Sequence, residues 1–460
     1  MKREEVKKLM YRRFIEPTKL KRDVFAGVEL ELPIINLNKT AVDFKLVHEL
    51  TVKFKNQFNF KVKARDENDV ICALEDPVTG DIYTFDCSYN NLEISFGKEK
   101  NLYHVKERFE EYYKFIQDIL NKENHTLTGL GINPYRKYNK LLPVPNGRYR
   151  MLYHQLCSYK RYEDEIRFHD MPEFGMFTSA SQTHVDVNLD NLIPALSAFS
   201  KLEPIKAVLF SNSVLNGENM ELACSRDMLW ENSMHGYNKK NIGMFDTLPQ
   251  SIEELLEYLL STSIYCTEQE GRYINFQPII VTEFFKRDGI KGEYFEGGKY
   301  QEIIFKPKKE DFNYFRPFKF VDLTFRGTIE FRSVCCQPIS ETMTVHAFHL
   351  GLINQVDEIN QILDGDTVLF NRGYSLTELR KIFAKSYLPE FVEKKELKEL
   401  LIEILDLASE SLKERGNKEE KLLKPLYKRV KSLENPAQRL IKHLNSGGGI
   451  EDLIYEYGKL

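Results

Sequence analysis

The chain has 460 residues, of which 42% are hydrophobic and 29% are charged, and its formal net charge is −4 at pH 7. That length allows one large domain or two ordinary ones, and the balanced charge excludes the basic footprint of a nucleic-acid-binding protein. The seven cysteines are odd in number and lack CxxC spacing, which excludes a disulfide framework and a zinc ribbon. Because the sequence has no apolar stretch of signal-peptide or membrane-spanning length, we expect a cytoplasmic protein with no membrane partner. We also expect a monomer or homodimer with no nucleic-acid partner.

Hydropathy periodicity in chain order predicts an α+β protein. The predicted helices are 2–15, 44–54, 101–120, 192–199, 204–212, 341–363, 376–384, 393–415, 425–433 and 435–445. The predicted strands lie at 27–32, 69–74, 82–85, 90–96, 125–132, within 177–190, and at 320–333. With no repeat or linker between them, these elements predict one catalytic domain over 1–460, mainly helical from about residue 338.

The strand at 27–32, GVELEL, carries two acidic residues at alternate positions. Residues i and i+2 of a strand share a face, so Glu29 and Glu31 point the same way. Two neighbouring carboxylates repel each other unless a cation lies between them, and magnesium takes oxygen ligands while leaving positions open for phosphates. The pair predicts a metal site, with a strand that has one water-facing side as the alternative.

Two further strands offer candidate metal ligands. Glu93 is the lone acid between Leu92 and Ile94 in the strand at 90–96, so it is either a third ligand or an outward-facing side chain. His184 alternates with apolar residues in SQTHVDVNLD and can ligate a metal through either ring nitrogen. A structural hydrogen-bonding role is the alternative for His184.

Arginines mark candidate anion contacts. The segment NPYRKYNKLLPVPNGRYR at 133–150 predicts an ordered loop that presents Arg136, Arg148 and Arg150 to an anion, or else a solvated basic loop. Arg226 and Trp230, the single tryptophan, are four residues apart, so on a helical turn they lie side by side. An arginine beside an indole can hold a carboxylate against an apolar wall, and a stacked surface pair is the alternative.

The stretch FVDLTFRGTIEFRS at 320–333 alternates strongly and predicts one strand with a bulge or bend at Gly327. Glu330 and Arg332 share a face, as do Arg326 and Thr328 if the register is unbroken. The acid and the base are placed to contact a metal and a phosphate oxygen, with a surface ion pair as the alternative.

The order of these motifs resembles that of the glutamate-cysteine ligases, within the glutamine synthetase-like carboxylate-amine ligase superfamily, and it is most similar to the plant and proteobacterial branch. The resemblance is carried, from Gly27 to about Tyr457, by GVELEL, NLEIS, GLGINPYRK followed by PNGRY, VNLD, EPIKAVLFSNS, SRDMLW and LASESLKERGNKE. TIEFRS and SQTHVDVN are more similar to the enterobacterial ligases. His184 is a departure from the plant pattern.

The resemblance implies an antiparallel sheet curved into a funnel-like active site, with helices on the convex face. It also implies ATP and two or three Mg²⁺ ions as cofactors, with Mn²⁺ as an alternative ion, and the metal ligands Glu29, Glu31, Glu93, His184 and Glu330. Arg226 and Trp230 would bind glutamate, and Arg332 and Glu330 would be the catalytic pair at the transferred phosphoryl group. Arg148 and Arg326 are candidate contacts for an anion or the nucleotide.

We therefore expect a glutamate-cysteine ligase that uses ATP, L-glutamate and L-cysteine to make γ-glutamylcysteine through a γ-glutamyl phosphate, the first step towards glutathione. Two alternatives stay open at the sequence level. Because no motif identifies a pocket for the cysteine side chain, the acceptor could be a different amine. The chain could also be a non-catalytic relative that binds a metabolite.

Overall fold

Helices and antiparallel strands alternate along the chain, and the computed structural model describes residues 1–20, 23–162 and 168–460. The strands are β1 (Ala26–Asn36), β2 (Lys61–Arg65), β3 (Ile71–Glu75), β4 (Ile82–Phe85), β5 (Asn91–Glu99), β6 (His125–Leu127), β7 (Ser181–Asp186), β8 (Ile242–Gly243), β9 (Ser263–Gln269), β10 (Arg272–Ile280), β11 (Ile290–Glu296), β12 (Lys299–Phe305), β13 (Phe318–Lys319), β14 (Val321–Leu323) and β15 (Thr328–Phe331). The helices are α1 (Arg3–Met10), α2 (Phe44–Gln57), α3 (Leu102–Leu120), α4 (Gly147–Cys157), α5 (Leu192–Phe210), α6 (Ser225–Glu231), α7 (Ile252–Leu260), α8 (Val281–Phe284), α9 (Met343–Leu352), α10 (Val356–Gly365), α11 (Leu376–Phe383), α12 (Lys394–Glu414), α13 (Lys424–Ser432), α14 (Pro436–Asn445) and α15 (Ile450–Tyr457).

A nine-stranded sheet, which we call the large sheet, forms the centre of the fold, with strand order β14-β15-β7-β1-β5-β4-β3-β2 and with β6 paired to the end of β1. All of its strand pairs are antiparallel. The side chains of Val28, Leu30 and Leu32 on β1 are at most 1% exposed. A slip of one residue would move these apolar side chains to the opposite face, so their burial fixes the register.

Helices cover the apolar face of the large sheet: α3 packs on β5, α9 packs on β1 and β7, and α5 contacts β14. The C-terminal helices α12 and α13 then pack on α9. The opposite face of the large sheet carries the polar side chains of the central strands.

A second sheet of four antiparallel strands, β12-β11-β10-β9, lies beside helix α4, which packs on β10 and β11. This sheet, the strand β2 and the last helix α15 were not predicted from the sequence. Within this sheet β11 alternates between buried and exposed residues, but β9 is buried along most of its length and β12 is mostly exposed or half-buried, so their period gives a weak signal.

The structure confirms most of the predicted elements. Strand 82–85 is β4 with the same ends, and strand 27–32 lies in the first part of β1. Helix 101–120 is α3 with Asn101 as its cap, since Asn101 Oδ1 accepts a hydrogen bond from Tyr103 N. Within the described ranges, every helix is too short or too polar to span a lipid bilayer.

Several predicted elements differ from the structure. The strand 320–333 is the hairpin β14–β15, because Gly327 adopts φ +76° and its amide closes a tight turn on the Thr324 carbonyl. The arginines 148 and 150 lie on helix α4 rather than in a loop, because Asn146 Oδ1 accepts from Tyr149 N and begins the helix.

The helices 192–199 and 204–212 are one helix, α5, which continues through Pro204. Proline inside a helix costs about 3 kcal/mol, but Leu202, Ile205 and Leu209 are at most 1% exposed, and their burial offsets that cost. Conversely, helix 341–363 is two helices, α9 and α10, since Gln355 leaves the helical conformation. The strand 125–132 pairs with β1 over the three residues of β6, and beyond them Ile132 forms a single bridge to Thr178.

Candidate active site

A basin of about 1080 Å³ opens on the polar face of the large sheet. Its other walls are formed by α4, α6, β9 and the segment around Phe318. The predicted metal ligands, the predicted glutamate contacts and three of the predicted arginines line it: Glu29, Glu31, Glu93, Arg148, His184, Arg226, Trp230, Arg326, Glu330 and Arg332.

Strand register explains why residues distant in sequence meet at this face. Glu31 on β1 lies opposite Glu93 on β5, and Glu330 on β15 lies opposite His184 on β7. Residues directly opposite each other in an antiparallel pair have adjacent side chains on the same face. Gly27 lies opposite His184, where a Cβ would be 3.1 Å from the histidine Cβ, so glycine leaves room for the imidazole.

The first cluster of ligand atoms, which we call the mixed group, contains Glu29, His184 and Glu330. One ligand atom from each side chain lies within 4.8 Å of the others, and His184 Nε2 is 3.0 Å from Glu29 Oε1. Arg332 forms an ion pair with Glu330, and Arg316 Nη2 lies 3.7 Å from the other oxygen of that carboxylate. The mixed group therefore has cationic neighbours of its own.

Three further acids line the same basin, Glu31, Glu93 and Asp86, which we call the carboxylate group; among the described residues only the mixed group brings three ligand atoms within 4.8 Å of one another. Glu31 accepts hydrogen bonds from Ala180 N and Gln182 Nε2, both at 2.7 Å. Glu93 Oε1 accepts from Ser95 Oγ at 2.8 Å. Asp86 follows the end of β4 and lines the same basin.

Electrostatics separates the two groups. Burial raises the pKa of Glu330, but the charges of Arg332 and His184 outweigh it and bring that pKa to about 2. In the same way, His184 lowers the pKa of Glu29 against the effect of burial. In the carboxylate group, burial and the charge of Asp86 raise the pKa of Glu31 to about 7.

The other members of the carboxylate group behave like Glu31. Burial, followed by the charges of Glu29, Asp86 and Glu31, raises the pKa of Glu93 well above its ordinary value. Burial likewise raises the pKa of Asp86. Three carboxyl groups that share a desolvated site cannot all ionise without a cation.

Arg226 and Trp230 lie side by side on α6, as their spacing predicts. Arg226 Nε and Trp230 Nε1 are buried and have no hydrogen-bond partner in the described part of the chain. The indole is held from two sides, edge-on by Phe174 with ring centroids 5.1 Å apart and in a stack with His235 at 5.2 Å. Two fixed, unsatisfied donors at a basin wall form a suitable site for an acceptor such as a carboxylate.

The remaining arginines divide between basin and surface. Arg326 lies in the turn of the β14–β15 hairpin rather than on a strand, and both it and Arg148 line the basin. Arg136 instead pairs with Glu218 at 2.5 Å, and Arg150 forms two bonds to Glu67. The expectation that all three arginines of the segment 133–150 face one anion is therefore wrong for Arg136 and Arg150, whose charges are paired with those two glutamates outside the basin.

Sequence reasoning missed several ionisable groups that line the basin, including Asp86, His235 and Asp322. Asp86 lies in an irregular segment after β4, His235 lies in a short turn after α6, and Asp322 lies opposite Glu330 on β14. Of these, only Asp322 had a usable signal, because it alternates with apolar residues in FVDLTF. Burial and the charge of Glu330 raise the pKa of Asp322 to about 7.

The donor sets fit a divalent metal. Carboxylate oxygens with one imidazole are ligands for Mg²⁺ or Mn²⁺, and the crowding of buried carboxyl groups is relieved when a cation is bound. The fold and the basin together define the class of protein: an α+β protein whose sheet presents acidic ligands for a divalent cation beside arginines and an indole suited to anionic substrates.

The chain belongs to glutamate-cysteine ligase family 2, whose family model matches residues 48–456, and it is a ligase. This match confirms the resemblance found in the motifs. It also confirms a role in ATP-dependent synthesis on the route to glutathione. The role of each site residue stays a prediction.

Two plant enzymes illustrate the similarity. The chain is 22% identical over 388 residues to the chloroplastic glutamate–cysteine ligase of Arabidopsis thaliana, over 79% of this chain and 67% of that protein. It is 23% identical over 375 residues to the chloroplastic enzyme of Medicago truncatula, over 76% of this chain and 65% of that protein. The chain thus spans about two thirds of the length of these relatives.

Among solved structures, the glutamate–cysteine ligase of Francisella tularensis in complex with AMP superimposes with a TM-score of 0.50 and 12% identity. The match covers 96% of this chain and 89% of that one. At this identity the likeness establishes the fold, a mixture of helices and antiparallel sheets.

Proposed function

We propose that this ligase joins the side-chain carboxylate of L-glutamate to the amine of L-cysteine and consumes ATP, giving γ-glutamylcysteine. One observation carries the proposal: Arg226 and Trp230, with their unsatisfied donors, line the same basin as the acidic side chains of the large sheet. In this proposal the large sheet is the curved floor of a funnel, the helices cover its convex side, and residues 1–460 act as one catalytic domain.

The reaction needs activation because a carboxylate oxygen is a poor leaving group. The glutamate side-chain carboxylate attacks the terminal phosphorus of ATP, ADP leaves, and γ-glutamyl phosphate forms. The cysteine amine then attacks the acyl carbon, phosphate leaves, and the amine loses its proton. Arg226 and Trp230 hold glutamate, so the reacting carboxylate enters the step already oriented.

In this mechanism Arg332 stabilises the charge on the transferred phosphoryl group; its ion pair with Glu330, which holds the guanidinium, supports that role. Arg326 and Arg148 lie at separate walls of the basin and supply further positive charge to anionic substrates. Removing one such charged donor costs about 3 to 4 kcal/mol of transition-state stabilisation in comparable sites.

The mixed group and the carboxylate group would hold the metal, as two or three Mg²⁺ ions with Mn²⁺ as the alternative. When bound, the ions neutralise the phosphate oxygens of ATP and align the in-line transfer. The side chains that would hold them are Glu29, His184 and Glu330 in the mixed group and Glu31, Glu93 and Asp86 in the carboxylate group.

A panel of amines tests the acceptor. Protein, ATP, Mg²⁺ and glutamate are incubated with cysteine, 2-aminobutyrate, alanine or ethylamine, and the product is identified by its mass while phosphate release is measured. We expect cysteine to be the preferred acceptor. Use of another amine many times better than cysteine would overturn the acceptor, and no phosphate release with any amine would overturn the ligase reaction.

Arg226→Lys tests the glutamate subsite. A lysine keeps the charge but loses the planar fork, so we expect the KM for glutamate to rise about tenfold or more. Arg150→Lys is the matched control, because that arginine also lies on a helix near the basin but pairs with Glu67. An equal effect of both substitutions on the glutamate KM would contradict the assignment.

A further inference from the structure

Helix α6, which carries the two proposed glutamate-binding side chains, has a second face directed at α11. Asp227 and Glu231 share that face, since they are four residues apart. Arg380 Nε donates to Asp227 Oδ2 at 2.7 Å and its Nη2 donates to Oδ1 at 3.2 Å. Lys381 Nζ lies 3.3 Å from Glu231 Oε2. Two adjacent residues of α11 thus hold the first and last turns of α6.

The main chain joins the same two helices. Ala223 N and Cys224 N, just before α6, both donate to the Ala384 carbonyl just after α11, at 2.8 and 3.0 Å. Ser386 N donates to the Glu221 carbonyl at 2.7 Å. These bonds set the position of the start of α6, and the Arg380 fork then sets its rotation.

Arg380 does not line the basin, so its donors serve the protein rather than a ligand. It is 3% exposed, and its Nη1 donates to the Glu203 carbonyl on α5 at 2.7 Å. Glu203 in turn is paired with the buried Lys206. A guanidinium buried this deeply is stable only when its charge and donors are matched, which the bonds to Asp227 and Glu203 provide.

The fork also controls charge beside the substrate. Asp227 is the next residue after Arg226, and the two charges attract each other. Without Arg380, the Asp227 carboxylate would compete with the substrate glutamate for Arg226 and would repel it. Arg380 therefore acts on the glutamate subsite through both the geometry and the charge of α6.

We propose that Arg380, on a helix of the C-terminal portion, is a positioning residue for the glutamate subsite: its fork on Asp227 holds α6 so that Arg226 and Trp230 face the basin. This inference rests on the proposed function. It makes the helical portion beyond residue 338 a part of the glutamate subsite rather than a separate cap.

The test compares Arg380→Lys and Arg380→Gln with Arg429→Lys. Arg429 is a matched control because it is also buried, pairs with Glu341 and donates to a main-chain carbonyl, that of Leu209 at 2.8 Å, without contacting α6. Glutamate binding is measured by calorimetry and by the KM for glutamate, and the KM for ATP and kcat are measured alongside.

We expect Arg380→Lys to weaken glutamate binding about tenfold, because a lysine cannot form the fork, and Arg380→Gln to weaken it more, because Asp227 is then unpaired. The KM for ATP should change less than about twofold, as should both KM values of Arg429→Lys. Unchanged glutamate binding in Arg380→Lys, or an equal loss in Arg429→Lys, would overturn the proposal.

A milder variant covers the case in which the buried substitutions fail to fold. Lys381→Met removes the second bond to α6 from a side chain that is 62% exposed, and we expect glutamate binding to weaken about two- to fivefold. Lys385→Met, one turn further along, is its control. No difference between these two variants would overturn the proposal.

A direct measurement of glutamate binding distinguishes failure of the positioning role from failure of the proposed function. Wild-type protein that binds glutamate, together with an Arg380→Lys variant that binds it equally well, would show that the positioning role is wrong while the proposed function stands. Wild-type protein that neither binds glutamate nor makes γ-glutamylcysteine would overturn the proposed function and this inference with it.

Discussion

The mixed group and the carboxylate group lie on the same face of one sheet, yet the protein treats their charges in opposite ways. In the mixed group, His184 and Arg332 hold the pKa values of Glu29 and Glu330 below their ordinary values. In the carboxylate group, burial and mutual repulsion raise the pKa of each member. His184 on β7 and Arg332, directly after β15, supply positive charge to the mixed group, while Glu93 on β5 and Asp86, directly after β4, supply only acids to the carboxylate group.

This difference indicates two kinds of metal site. In the mixed group the two carboxylates are ionised at neutral pH, but His184 is not free to ligate. Burial lowers the pKa of His184, but the charges of Glu330 and Glu29 outweigh that effect and raise it, so the imidazolium must lose its proton before Nε2 can bind a cation. In the carboxylate group the acids themselves must lose protons before they can ligate, which couples the affinity of that group to pH. The two groups should therefore respond differently to substitution and to pH.

The largest effect should come from Glu330→Gln. Glu330 belongs to the mixed group and also fixes Arg332, so we expect kcat to fall about a hundred- to a thousandfold. Glu419→Gln is the control, because Glu419 is equally buried and pairs with Arg415 outside the basin, Nε to Oε2 at 2.9 Å. Both variants should keep a folded circular-dichroism spectrum. Unchanged turnover in Glu330→Gln would remove Glu330 from the site.

A smaller effect is expected for His184→Asn. Loss of one ligand should raise the Mg²⁺ concentration for half-maximal activity about ten- to a hundredfold. His346→Asn is the control, because His346 contacts the neighbouring Thr183 from the apolar side of the large sheet, Nδ1 to Oγ1 at 2.8 Å. If both variants need the same Mg²⁺ concentration, the histidine is not a ligand and the mixed group contains only its two carboxylates.

The smallest effect should appear in the pH dependence of stability. Glu31 has a pKa raised from 4.5 to about 7, so without added metal the folded state binds a proton that the unfolded state releases. Its contribution to the free energy of unfolding is therefore present at pH 4.5 and lost as pH rises through 7. Mg²⁺ binding should depend on pH in the opposite direction and weaken as pH falls. Below pH 7, the Mg²⁺ concentration needed to raise Tm should increase about tenfold per pH unit for each proton that the metal displaces.

Glu31→Gln removes this proton and should flatten the pH dependence of the Mg²⁺-induced rise in Tm between pH 6 and 8. Wild-type protein with a flat profile over that range would show that the carboxylate group does not bind the cation. A steep profile that survives in Glu31→Gln would assign the protons to Glu93, Asp86 or His184 instead.

Local sequence patterns located most of the fold and most of the proposed site. The alternation around Glu29 and Glu31 identified β1 and its polar face, and the spacing of Arg226 and Trp230 identified their helical contact. The patterns failed where a turn or a long-range contact decides the outcome. Gly327 divides a continuous alternating stretch into a hairpin, and Asp86 lies in an irregular segment that has no period to read.

The sequence by itself determined which side chains share a face, because the periods of strands and helices are local properties of the backbone. Only the tertiary structure decided which faces meet. The register of β1, β5, β7 and β15 divides five predicted ligands into two groups with opposite electrostatics, since pKa values depend on burial and on charges from distant parts of the chain. For the same reason no sequence pattern indicates that Arg380, on a C-terminal helix, holds the helix that carries Arg226.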